Sequence, residues 1–194
     1  MFLLLVFCSS IIVIIFWNQE LKYSLPTPVP SGYQAVVPGT SVEASFDRVK
    51  HQASFLHFYN PDCPCSRFNA RHLKSLIRSY GDSVQVVIVV ERAADLVKAK
   101  AEFGDNLSYL IDDDKLIARQ CGVYSTPQAA IIDDGGRLFF RGNYNKTRYC
   151  TQKATNFAEL ALIAMLNHQP APVFGLLSSQ SYGCSLPGAE EEVF

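Results

Sequence analysis

The chain has 194 residues, 48% of them apolar, and a formal net charge of −1. That length and apolar content accommodate one well-buried domain with short additions. A near-zero charge without a long basic stretch gives no nucleic-acid signature, and no internal repeat is present.

Met1 to Trp17 (MFLLLVFCSSIIVIIFW) carries no charged side chain. It sits near the lower limit of ~17–25 residues for a membrane-spanning helix. A cleaved signal peptide calls for a basic n-region, a shorter apolar core and an Ala-x-Ala-like exit, and none of these is present. An uncleaved transmembrane anchor is therefore expected over residues 1–17. Bulky Phe7 argues against lipid modification of Cys8, which reads as part of the anchor. Flanking charge barely sets the orientation, since Lys22 is the basic residue that follows the span closely. A minimal N-terminal tail most simply leaves the rest of the chain across the membrane. The expected location is the inner (cytoplasmic) membrane, single-pass, with the domain in the periplasm or another extracytoplasmic space.

Residues 18–38 contain Pro26, Pro28, Pro30 and Pro38 without a periodic apolar face, and read as a semi-extended linker. The folded domain is expected over residues 39–168. Ser41 to Lys50 suits a short helix with Val42, Phe46 and Val49 inward. Phe55 to Tyr59 is an apolar strand stopped by the turn residues Asn60-Pro61-Asp62. From Ser66 to Tyr80, Phe68, Leu73, Leu76 and Ile77 recur at helical spacing, and Gly81 closes the helix. Val84 to Val90 (VQVVIVV) has the unbroken β-branched character of a strand buried on both faces. A helix at Ala93 to Phe103, a short strand at Ser108 to Ile111 and a short helix at Lys115 to Cys121 follow. Gln128 to Asp133 and Arg137 to Gly142 form a hairpin through Asp134-Gly135-Gly136, and Thr155 to Asn167 reads as an amphipathic helix. The tail, residues 169–194, is rich in Pro, Ser and Gly, contains Cys184 and ends in the acidic run Glu190 to Glu192. Strands alternating with helices before a closing hairpin and helix indicate an α/β fold.

The chemistry concentrates at Cys63-Pro64-Cys65, where a strand hands over to a helix. Unpaired amides and the positive end of the helix dipole favour thiolate over thiol there. Pro64 suits the first helical turn, where its missing N–H costs nothing. Asp62, immediately before, opposes thiolate formation by its charge. The helix end is expected to prevail because its amides can hydrogen-bond the sulfur directly.

Two linked features carry a resemblance. One is the unit FLHFYNPDCPCSRF; the other is Gly122-Val123-Tyr124-Ser125-Thr126-Pro127-Gln128, followed by AAIIDDGGRLFFRG. Over about Gly39 to Asn167 the chain resembles the thioredoxin superfamily, particularly its membrane-tethered redoxin and TlpA-like branch. The resemblance implies a central mixed β-sheet flanked by helices. It implies a cis Thr126–Pro127 bond, with Pro127 beside Cys63 and with Thr126, Asp62 and Pro64 lining a substrate groove. His57 occupies the place of a buried, proton-moving acid in that family; the competing reading is a core histidine bonded to backbone. The implied activity is thiol–disulfide exchange on protein disulfides, with Cys63 attacking, no cofactor, and a redox partner protein.

The departures from that family leave alternatives open. Only Pro64 separates the two cysteines, and helical residues two apart point ~200° away from each other. A Cys63–Cys65 disulfide therefore needs Cys63 outside the regular helix; otherwise a distant cysteine or a partner resolves the intermediate. Cys121 reads as a small buried hydrophobe. Cys150 and Cys184 read either as a structural disulfide fastening the tail or as a source of the resolving thiol. Arg137, Arg141, Lys146 and Arg148 read as solvated surface. Rival functions are a Cu(I) metallochaperone using the two thiolates, a thiol peroxidase using Cys63, and a non-catalytic interaction module. His51, His72 and His168 lie far in sequence from the Pro127 loop, where a copper carrier of this kind would place a third ligand.

Overall fold

The computed structural model describes residues 2–19, 21–43 and 46–186. Met1, residues 44 and 45 of the expected 41–50 helix, and the acidic run Glu190 to Glu192 lie outside them.

The domain is built on β1 (Ser54–Phe58), whose five residues are all buried. It pairs in parallel with β2 (Gln85–Val90) and antiparallel with β5 (Gln128–Ile132), so Leu56 stands between Val87 and Ala130. With β3 (Ser108–Ile111) and β6 (Leu138–Gly142) the sheet reads β3-β2-β1-β5-β6. Helix α2 (Pro64–Tyr80) crosses from β1 to β2, and α3 (Ala93–Phe103) crosses from β2 to β3. Helix α4 (Leu116–Cys121) precedes a two-residue strand, β4 (Ser125–Thr126). Helix α5 (Phe157–Leu166) packs beneath the β5–β6 hairpin, and α6 (Leu176–Ser179) leads into β7 (Cys184–Ser185). This mixed sheet with flanking helices is a thioredoxin-like α/β fold.

Alternation along β1 divides the core. Phe55 and Tyr59 join Leu73 and Leu76 of α2, Ala99 of α3 and Leu162 of α5. Leu56 and Phe58 join Ile117, Ala118 and Cys121 of α4 on the other face. His57 therefore points to the same side as α2.

Several local expectations change. The described part of residues 41–50 is not helical: Ser41 bridges Arg137, Val42 is buried, and Val49 is exposed. Phe68 lies on the exposed side of α2 and meets Tyr149 edge-on instead of entering the core. Helix α5 is apolar almost throughout rather than amphipathic, with Leu160 on its outer side. The Pro-rich stretch is held against the domain: Thr27 is buried, and the Tyr33 hydroxyl donates to the Gly122 carbonyl at 2.9 Å.

Helix α1 (Phe2–Gln19) carries exposed apolar side chains from Phe2 to Trp17. Its 18 residues rise roughly 27 Å, a little less than the ~30 Å hydrocarbon core of a bilayer. Among the described residues, no helix is long and apolar enough to cross a membrane.

Candidate redox site

Cys63 is the N-cap of α2, with extended backbone and no side-chain cap bond. Its N–H closes a turn onto the Asn60 carbonyl at 3.1 Å, and its carbonyl accepts from Arg67 at 3.2 Å. Pro64 fills the first helical position, where its missing N–H costs nothing, and Cys63 stands at the positive end of the helix dipole. That environment stabilises negative charge on the Cys63 sulfur once it is reduced.

The sulfur is bonded to Cys184. The two Cα atoms are 6.0 Å apart, and the residues are 121 apart in sequence. Cys65 is therefore not the partner of Cys63, and Cys184 is not bridged to Cys150. Cys65 lies buried one residue inside α2 and keeps its thiol. The Cys150 thiol donates to Asn69 Oδ1 at 3.2 Å, and burial pushes its pKa up to about 12. Burial does the same for Cys121, also to about 12, in keeping with its place in the core.

The Thr126–Pro127 peptide bond is cis. The Thr126 carbonyl oxygen lies 3.5 Å from Cys63 Sγ. Strand β4 pairs antiparallel with β7, so that Thr126 stands opposite Cys184 and Ser125 opposite Ser185. Leu186 extends the ladder by donating to the Tyr124 carbonyl at 3.1 Å. The chain's own tail thus occupies the strand edge beside Pro127.

Asp62 is exposed, and Lys98 and Arg92 hold it at 2.7 and 3.3 Å. The Lys98 hydrogen bond is the main reason its pKa falls below the ordinary carboxylate value. Two cations at this carboxylate blunt its repulsion of a thiolate at Cys63.

His57 is fully buried, and its Nδ1 shares a 2.6 Å hydrogen bond with the Tyr144 hydroxyl. Its partner is a side chain rather than backbone. Burial pulls its pKa down to about 3, so the ring is neutral across ordinary pH. Tyr144 in turn lines a cleft of about 330 Å³ together with Cys65, Asn69, Pro127 and Cys150.

The basic residues are less idle than a solvated surface would be. Arg141 donates to the Ser179 carbonyl and the Tyr33 hydroxyl, at 2.7 and 3.0 Å. The Arg148 guanidinium lies over the rings of Phe68 and Tyr149, at 4.9 and 5.0 Å. Among the described residues, no group of three His, Cys, Asp or Glu side chains converges as a metal site. In its disulfide, Cys63 offers no thiolate to a metal.

Tyr144 lies in a loop without periodic signal, so its place beside His57 is not legible in the sequence.

A family model described as "Domain of unknown function (DUF6436)" matches residues 36–185. The chain belongs to this family. No curated protein matches it. Among solved structures, a hypothetical protein from Sinorhizobium meliloti 1021 is similar at a TM-score of 0.62 and 20% identity, over 78% of this chain and 94% of that one. An uncharacterized conserved protein from Geobacillus kaustophilus is similar at a TM-score of 0.58 and 21% identity, over 81% and 90%. A secreted Mycobacterium tuberculosis disulfide oxidoreductase follows at 0.46 and 18%, over 68% and 95%. At these identities the likeness is one of fold, and the chemistry of this DUF6436 member has to be argued from its own residues.

Proposed function

We propose that this protein is a thiol–disulfide oxidoreductase whose working couple is Cys63–Cys184. The observation that carries the reading is the disulfide itself: one sulfur on the N-cap of α2, the other on a strand paired with the residue before cis Pro127. A helix N-terminus makes Cys63 a good leaving thiolate when the bond is attacked and a ready nucleophile when it re-forms. In one turn of the couple, a partner dithiol becomes a disulfide and Cys63 and Cys184 become thiols; the reverse turn oxidises the pair.

His57 and Tyr144 support the floor under α2 and act by positioning, because a base with a pKa of about 3 takes up no proton at neutral pH. Protein thiols and disulfides are the substrates, together with a partner that resets the couple. The exposed apolar side chains of α1 tether the domain to the inner membrane. The domain works in the periplasm, an oxidising space in which disulfides persist.

Mixing the oxidised full chain, in detergent, with a reduced unfolded client protein tests the reading. The client should gain disulfides as thiols appear at Cys63 and Cys184 in equal amounts, and Cys63→Ser should abolish the transfer. A Cys63–Cys184 bond that stays intact before excess client thiol would overturn it.

A further inference from the structure

We propose that Cys184, rather than Cys63, is the sulfur at which an incoming thiol enters the exchange. The inference rests on the oxidoreductase reading and assigns the order in which its two sulfurs act. Cys63 is 1% exposed, and its Sγ is faced by the Thr126 carbonyl. Cys184 is partly exposed on the tail strand β7. Thiol–disulfide exchange depends on which sulfur the attacking thiolate can reach. That thiolate approaches along the S–S axis from the side opposite the leaving sulfur. Burial closes Cys63 to an incoming thiol, whereas Cys184 keeps part of its surface exposed.

The tail does not readily step aside to expose Cys63, because it is held on both sides of Cys184. Before it, Thr27 N–H donates to the Ser181 carbonyl at 2.8 Å, and Gln128 Nε2 donates to Ser181 Oγ at 2.7 Å. Further back, Asn143 Nδ2 donates to the Gln180 carbonyl at 2.6 Å. After it, the Leu186 amide is bound to Tyr124. None of these bonds involves sulfur, so they hold Cys184 over Cys63 in either redox state.

A partner thiolate bonds to Cys184 Sγ, the Cys63–Cys184 bond breaks, and its electron pair leaves on Cys63 Sγ. The helix N-terminus stabilises that thiolate, and a leaving thiol of lower pKa departs faster. The partner's second thiol, as thiolate, then attacks the mixed disulfide and is released with the first as a disulfide. Cys184 leaves as a thiolate and is protonated. The partner has lost two electrons, and the Cys63–Cys184 pair has gained them.

Reduced glutathione serves as the probe. The oxidised full chain in detergent is exposed to it briefly, quenched in acid, alkylated and peptide-mapped. Glutathione should be found on Cys184 and the alkyl group on Cys63, at least tenfold over the opposite pattern. The same pattern is expected in a Cys65→Ala chain, where transfer through Cys65 is impossible. Glutathione on Cys63 with alkylated Cys184 would overturn the proposed order while leaving the oxidoreductase reading intact. A disulfide that consumes no glutathione would remove both.

Discussion

A methyl group on Gly183 would collide with the carbonyl oxygen of Thr126. Gly183 also has φ +148°, a conformation that residues with a Cβ rarely adopt. The obstacle is backbone, so no rotamer change relieves it. This close approach lets β7 lie flat on β4 and brings Cys184 over Cys63. Gly183→Ala should push the tail out of register and weaken the disulfide. At a fixed glutathione ratio, the equilibrium for forming the Cys63–Cys184 bond should fall at least tenfold, equivalent to a potential about 30 mV more oxidising. A redox titration followed by mass mapping reads this directly, and an unchanged potential would show that the approach does not position Cys184.

The disulfide should also carry stability. It closes a loop between residues 121 apart in sequence, and bridges of this kind typically stabilise by roughly 2–4 kcal/mol. For a chain of this size, that corresponds to a melting temperature lower by roughly 5–15 °C when the bond is absent. Calorimetry of Cys184→Ser against the oxidised parent measures it. Equal melting temperatures would mean that the sulfur-independent bonds to the tail do all the fastening.

Acid should destabilise the fold through His57. Its folded pKa, about 3, lies below the unfolded value of 6.5. Between these values the unfolded chain binds a proton that the native chain refuses. The stability His57 contributes is therefore present above pH 6.5 and is lost as pH falls toward 3. His72, lowered by burial, acts in the same direction. Glu91 acts oppositely: burial raises its pKa from 4.5 to about 7, so its contribution is present below pH 4.5 and is lost as pH rises through 7. His57→Gln should flatten the acid limb between pH 3 and 6.5. Glu91→Gln should instead uncover, between pH 4.5 and 6.5, a rise in stability that Glu91 offsets in the parent. Denaturation curves across pH distinguish the two, and an undiminished acid limb in His57→Gln would refute the assignment.

By itself the sequence determined the sheet and the place of the chemistry. The β-branched run of β2, the helical spacing of Leu73 and Leu76, and the Gly-rich turn between β5 and β6 are local patterns, and local patterns survive in one dimension. Pro64 marked a helix start, so a thiol at its N-terminus was legible from Cys63-Pro64-Cys65 alone. Which cysteine pairs with Cys63 was decided only in three dimensions. Cys184 sits in a tail whose Pro, Ser and Gly residues look unstructured, and a two-residue ladder such as β4–β7 is too short to leave any periodic signal. Connectivity among several cysteines cannot be deduced from their spacing. Here it follows from bonds made by Thr27, Tyr124, Gln128 and Asn143, which are scattered along the chain and converge only on folding. The same holds for His57: both readings of it in the sequence made it a buried residue, but its partner Tyr144 lies 87 residues away in a loop that only the packed core brings to it.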